Sequence, residues 1–240
     1  MYSKYLFVAL LLSVAYTADA AYAPFIEKCK WDDSKCIKAT AQNAIPILAA
    51  GIPELGVETL DPFSMKTLDA SSPTLKLLLW NITGTGLKDC IAKKVQRDIG
   101  KSKITVKLQC SVDFVGKYEM KGRMLMLPIE GKGDAHVVLR KVVITTDVDI
   151  GDNLGRDGEK HWSIKNWKHT YDVKEKSTIE LENLFNGNQV LGNAARAMIE
   201  SSSNEIVKEI GPPIVKAIIS RIVDNIQAFF ENVPSSEFTD

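Results

Sequence analysis

The chain of 240 residues balances 30 basic against 30 acidic side chains, with 45% hydrophobic and 25% charged residues. This composition suits a soluble globular protein with a sizeable core and excludes wholesale disorder; zero net charge lacks the basic face that nucleic acid requires. No stretch of about 18 apolar residues is present, so stable membrane insertion is not expected.

Met1 to Ala20 reads as a secretory signal, with Lys4 as the positive start, Tyr5–Ala15 as the apolar centre and Ala18-Asp19-Ala20 as the cleavage site. Ala21-Tyr22-Ala23 offers a second site close by. A secreted, extracellular protein of residues 21–240 is expected, forming a single domain. In an oxidising compartment Cys29 and Cys36 enclose a six-residue loop that a disulfide can close, whereas a lone pair at this spacing is a poor zinc site. Ile37 to Ala50 then carries apolar residues at helical spacing, with Pro46 as a kink point and Gly51-Ile52-Pro53 as its end.

From about Leu55 to Leu181 the apolar period is two. The clearest stretch, Ile104 to Phe114, alternates six apolar residues with Thr105, Lys107, Gln109, Ser111 and Asp113. Further strands are expected at 74–84, 118–127, 135–150, 162–173 and 177–181. Gly100-Lys101, Gly131-Lys132-Gly133-Asp134 and Asp157-Gly158 are expected to be turns between strands. An antiparallel meander with one apolar face follows. A hairpin turning at Gly100 would set Cys90 opposite Cys110. The apolar parities of its two arms disagree with that register, however: Leu87, Ile91 and Val95 are odd, and Ile104 to Phe114 are even. The pair can bridge only if a bulge intervenes. Asn81-Ile82-Thr83 is a glycosylation sequon, read either as a modified Asn81 or as a polar outer strand position.

The last sixty residues return to helical spacing, with apolar residues at 191, 195, 198 and then from 206 to 233. A continuous helix there would run roughly 60 Å, and Gly211-Pro212-Pro213 should kink or break it. The economical fold is α+β: a strongly curved antiparallel sheet wrapped round a long C-terminal helix, enclosing an elongated hydrophobic tunnel. Val106, Leu108, Val112, Phe114, Met124, Met126, Val138 and Ile144 are the candidate tunnel-lining residues, with the methionines suited to flexible guests.

Several segments together carry a family resemblance. They are Cys29 and Cys36 before a short helix, Gly51-Ile52-Pro53-Glu54-Leu55 leading to Asp61-Pro62-Phe63, the stretch from Tyr118 to Gly133, and the stretch from Glu182 to Gly192 before the long helix. With these the chain resembles the insect takeout/juvenile-hormone-binding family over nearly all of residues 21–240. The resemblance implies the first disulfide, Cys29–Cys36, and a secreted carrier of juvenile hormone-like terpenoids, fatty acids or other lipids. Hormone-binding members carry a second bridge into the C-terminal helix, but no cysteine here follows Cys110.

No catalytic chemistry is expected. His136, His161 and His169 form no metal or hydrolase motif, and Asp147, Asp149, Asp152 and Asp157 lack calcium-loop spacing. Trp162 is expected on the face opposite Trp167 and Tyr171. The reading is therefore a monomer that binds a hydrophobic small molecule without cofactor, metal or covalent chemistry. The alternative is an extracellular interaction protein with a filled core.

Overall fold

The computed structural model describes residues 23–238, so the expected signal segment lies outside the described residues. Helix α1, Ser34–Ala50, begins where the Asp33 carboxylate accepts hydrogen bonds from the backbone N–H groups of Lys35 and Cys36, 3.1 and 3.0 Å away. Seven strands follow among the described residues: β1 (Phe63–Asp69), β2 (Leu75–Thr85), β3 (Ile91–Asp98), β4 (Lys103–Met124), β5 (Leu127–Leu154), β6 (Lys160–Val173) and β7 (Thr178–Leu181). Helices α2, Gln189–Ser201, and α3, Ser203–Asn232, follow the sheet, with a short 3-10 turn at Ser235–Glu237 after them.

One long hairpin, β4–β5, is the spine of the single antiparallel sheet. Its half near the turn at Leu125-Met126 is flanked by β2, with β1 beyond it, on one side and by β7 on the other. Its far half is flanked by β3 and β6. The sheet does not close into a barrel. It curves round α3, a helix of 30 residues, about 45 Å long.

The even residues of β4 face inward along the whole strand, as the alternation predicts: Cys110, Val112, Tyr118, Met120 and Met124 are all buried. Its neighbours change parity at bulges. On β3, Val95 pairs with Val106 but Ala92 pairs with Leu108, so one extra residue lies between them. That bulge reconciles the conflicting parities of the hairpin. It turns Ile91 outward, 46% exposed, buries Ala92, and sets Cys90 against Cys110. The sequence reading of Ile91 as an inward residue is thereby corrected. On β5 the register shifts between Val142, opposite Cys110, and Leu139, opposite Val112. On β6 it shifts at Lys165, between Ile164 and Asn166.

Two further expectations are corrected. Gly131-Lys132-Gly133-Asp134 lies inside β5, and the hairpin turns instead at Leu125 and Met126, whose φ values of 48° and 68° close a two-residue turn. Gly131 is needed for close approach, since a Cβ there would sit 2.6 Å from the Tyr118 hydroxyl. The long C-terminal helix breaks at Ser202, inside a run of three serines of modest helix propensity, and not at the prolines. Asn204 uses the break to accept hydrogen bonds from the Ser177 N–H (2.9 Å) and hydroxyl (2.8 Å). Pro212 and Pro213 lie within α3 on its exposed side. Lys208 and Glu209, whose carbonyls lose their donors, are exposed too, so water can replace those bonds.

Candidate functional site

Two adjoining cavities lie between the sheet and the helices. The larger, about 360 Å³, is bounded by α1, by the far halves of β4 and β5 with β3 and β6, and by the C-terminal half of α3. The smaller, about 180 Å³, lies between β1, β2, β7, the turn-proximal halves of β4 and β5, and the middle of α3. Both are lined almost entirely by hydrocarbon. They share Leu87, Cys110, Ile144, Ile219 and Ile222, which form a waist between them.

Val106 and Leu108 line the larger cavity, Val112, Phe114 and Met124 the smaller, and Ile144 both. Two candidates fall elsewhere. Met126 is 82% exposed at the tip of the β4–β5 turn, where its backbone conformation carries it off the sheet face. Val138 points to the outer face, because the β5 bulge moves the inward set from Val142 and Ile144 to Leu139 and Val137. A pattern confined to one strand carries no mark of such a shift.

The sequence reading also missed the α1 lining (Ala41, Ala44, Ile45), Trp162 and Ile164 on β6, and Arg97. The β6 bulge brings Trp162 onto the same inner face as Tyr171, whose hydroxyl donates to the Val207 carbonyl at 3.0 Å, correcting the expected opposition. At the outer end of the larger cavity Trp162 packs edge-on to Phe230, 5.5 Å between ring centres, and lies 4.9 Å from Phe238. Trp31, 53% exposed, lines the same end.

All four cysteines are paired, as Cys29–Cys36 and Cys90–Cys110. The first holds the N-terminal segment against α1 at the rim of the larger cavity, and the second supports the waist. The polar lining groups are mostly engaged by the fold. Asn225 accepts from the Glu58 N–H and donates to the Glu58 carbonyl (3.1 and 2.9 Å), while Thr40 donates to the Glu27 carbonyl (3.4 Å). In the smaller cavity the amine of Lys117 reaches away to Asp134, 2.6 Å distant. Arg97 differs: its guanidinium lies 4.7 Å from the centre of the Trp162 ring. Burial holds its pKa below the ordinary arginine value, opposed by the charge of Asp152.

The histidines serve the fold. His161 is buried, with Nδ1 3.0 Å from the Phe230 carbonyl and Nε2 2.9 Å from Asp157, tying the β5–β6 loop to the end of α3. His136 lies on the outer face between Asp113 (2.9 Å) and Glu180 (3.1 Å). Burial lowers the pKa of His169, assisted by Lys216 on α3. The acidic residues are dispersed: Asp147 accepts from Thr105 (2.7 Å), Asp149 pairs with Lys103 (3.4 Å) and Asp157 with His161. Among the described residues no group of three or more such side chains is placed to hold a metal ion.

An open antiparallel sheet wrapped round a long helix, with unfilled apolar space between them, defines a class of binding protein. The chain belongs to the haemolymph juvenile hormone binding protein family, whose model matches residues 6–240. The crystal structure of Takeout 1 from Epiphyas postvittana superposes with a TM-score of 0.86 at 30% identity, covering 90% of this chain and all of that one. The circadian clock-controlled protein daywake of Drosophila melanogaster is 26% identical over 246 residues, 96% of this chain and 94% of the relative. A putative beta-carotene-binding protein of Schistocerca gregaria is 21% identical over 202 residues, 82% of this chain and 80% of the relative.

Proposed function

We propose that the protein is a secreted carrier that holds one elongated hydrophobic small molecule across both cavities, which then act as a single passage. The observation that carries this reading is the interior of about 360 Å³, lined by hydrocarbon and left unfilled by the surrounding side chains. Its size falls within the range of small-molecule sites, and family membership and the relative described as a putative beta-carotene-binding protein support the same reading. A guest burying roughly 300 Å² of apolar surface would gain roughly 7 kcal/mol at about 25 cal/mol per Å², before the costs of association. Such binding needs no covalent step. Juvenile hormone-like terpenoids, fatty acids and other lipids of extended shape fit this chemistry. The unfilled interior weighs against the alternative of a partner-binding protein with a solid core.

The proposal extends to the chain's processing: cleavage after Ala20 releases residues 21–240 as one extracellular domain, with glycan on the exposed Asn81. Organic extraction of the purified protein followed by mass spectrometry should yield a lipid. The delipidated protein should take up the neutral fluorophore N-phenyl-1-naphthylamine and release it to terpenoids or fatty acids. Ala44→Phe, which fills the larger cavity from α1, should weaken uptake about tenfold or more while leaving the circular dichroism spectrum unchanged. Protein that yields no lipid and takes up no fluorophore would overturn the carrier reading.

A further inference from the structure

We infer that Arg97 is the head-group anchor of the larger cavity and that the preferred guest is a long-chain carboxylate, bound with its charged end at Arg97 and its tail toward the waist. This rests on the carrier reading and adds an orientation and a chemical class to it.

Placement is the first argument. Beyond the β3 bulge, Val95 and Arg97 share the inward parity, and Arg97 pairs with Ile104, itself a cavity residue. The guanidinium is therefore built into the sheet's inner face and is not a surface group that has strayed inward. Availability is the second. Arg97 stacks on Trp162, yet among the described residues it makes no ion pair and no side-chain hydrogen bond, so its in-plane N–H donors remain free for a planar anion. Asp152, whose charge acts on it, is exposed and forms no ion pair with it. Glu27, the other ionisable residue lining this cavity, is exposed, and its backbone carbonyl is occupied by Thr40.

Distance is the third. Ile104 lies six residues along β4 from Cys110 at the waist, a span of roughly 20 Å at strand rise, which an extended long-chain acid can cover. The smaller cavity beyond the waist offers no free polar group, so it suits a tail and not a head. A carboxylate at Arg97 gains a charge-assisted bond in a partly desolvated setting, where a methyl ester of the same chain gains only its hydrocarbon burial.

Displacement of N-phenyl-1-naphthylamine from delipidated protein at pH 8 and low salt, by hexadecanoate and by methyl hexadecanoate, tests this. Wild type should favour the acid by about tenfold or more. Arg97→Met, which keeps the packing against Trp162 without the charge, should bring the ratio close to one by weakening the acid far more than the ester. Arg97→Lys should keep most of the preference. Equal affinities in wild type, or a preference that survives in Arg97→Met, would overturn the inference while leaving the carrier reading intact. Absence of fluorophore uptake by wild type would overturn both, and ester binding by Arg97→Met serves as its own folding control.

Discussion

The two cavities share one sheet and one helix, yet one holds about twice the space of the other. The difference follows from what lines the sheet's inner face. Around the smaller cavity stand Phe63, Tyr118, Met120 and Met124, all buried and among the bulkiest inward side chains. Over the larger one, α1 presents Ala41 and Ala44, and the sheet offers β-branched residues such as Val106, Thr146 and Val148. Small residues on a helix held off the sheet leave space that large ones on the sheet would fill. The end of the larger cavity also holds Arg97, without an ion pair among the described residues, beside an aromatic cluster, whereas the smaller cavity is lined by hydrocarbon with its Lys117 amine turned away to Asp134.

The comparison is broken most severely by removing the support the two regions share. Replacing Cys90 and Cys110 together by alanine opens a crosslink spanning 20 residues and should cost about 3 kcal/mol in urea unfolding, with probe uptake impaired in both cavities. Gly131→Ala acts on the smaller region alone. Its Cβ would meet the Tyr118 hydroxyl at 2.6 Å and the Leu184 side chain at 3.2 Å, so about 2 kcal/mol should be lost while binding at Arg97 persists.

Tyr118→Phe is gentler. It removes the hydroxyl that donates to the Glu182 carbonyl at 2.6 Å and should cost about 1 kcal/mol. It also has a pH signature. Burial, aided by the charge of Glu182, pushes the Tyr118 pKa up to about 12. The folded state thus holds this proton more tightly than the unfolded chain, whose phenol titrates near 10. The resulting stability is complete below pH 10 and is lost as pH rises from 10 through about 12; Tyr118→Phe should remove that slope from the urea midpoint.

The smallest effect belongs to the outer face. His136 has its pKa raised, first by its hydrogen bond to Glu180 and, against an opposing burial penalty, by Asp113. Its contribution is present below the unfolded value of 6.5 and fades as pH rises through the higher folded value. His136→Ala should flatten a shallow decline in the urea midpoint above pH 6.5, most visibly at low salt, and leave both cavities unchanged.

Much of this architecture was legible in the chain. The unbroken even-parity run on β4, the helical spacing of α1 and the stripe on α3 are local periodicities, and each produced the element it implied. The family resemblance rested on short segments and pointed to the observed fold. Val138, Ile91 and Trp162 were misplaced for one common reason: each lies beyond a bulge, and a bulge is defined by a partner strand distant in sequence. Met126 was misplaced because a two-residue turn accepted non-glycine residues at positive φ. Arg97 was overlooked although it shares the odd parity of Val95, because a charged side chain in an alternating strand is ordinarily solvated and only the partner elements show that this one borders an enclosed cavity.

The sequence alone determined which residues alternate, which stripe a helix presents and which cysteines exist to be joined, because these depend on neighbours a few positions apart. Tertiary structure alone decided the register after each bulge, the place where the C-terminal helix breaks, and the volume left between sheet and helix. Those depend on contacts between residues far apart in the chain, and an unfilled space is a property of how surfaces meet that no single segment encodes.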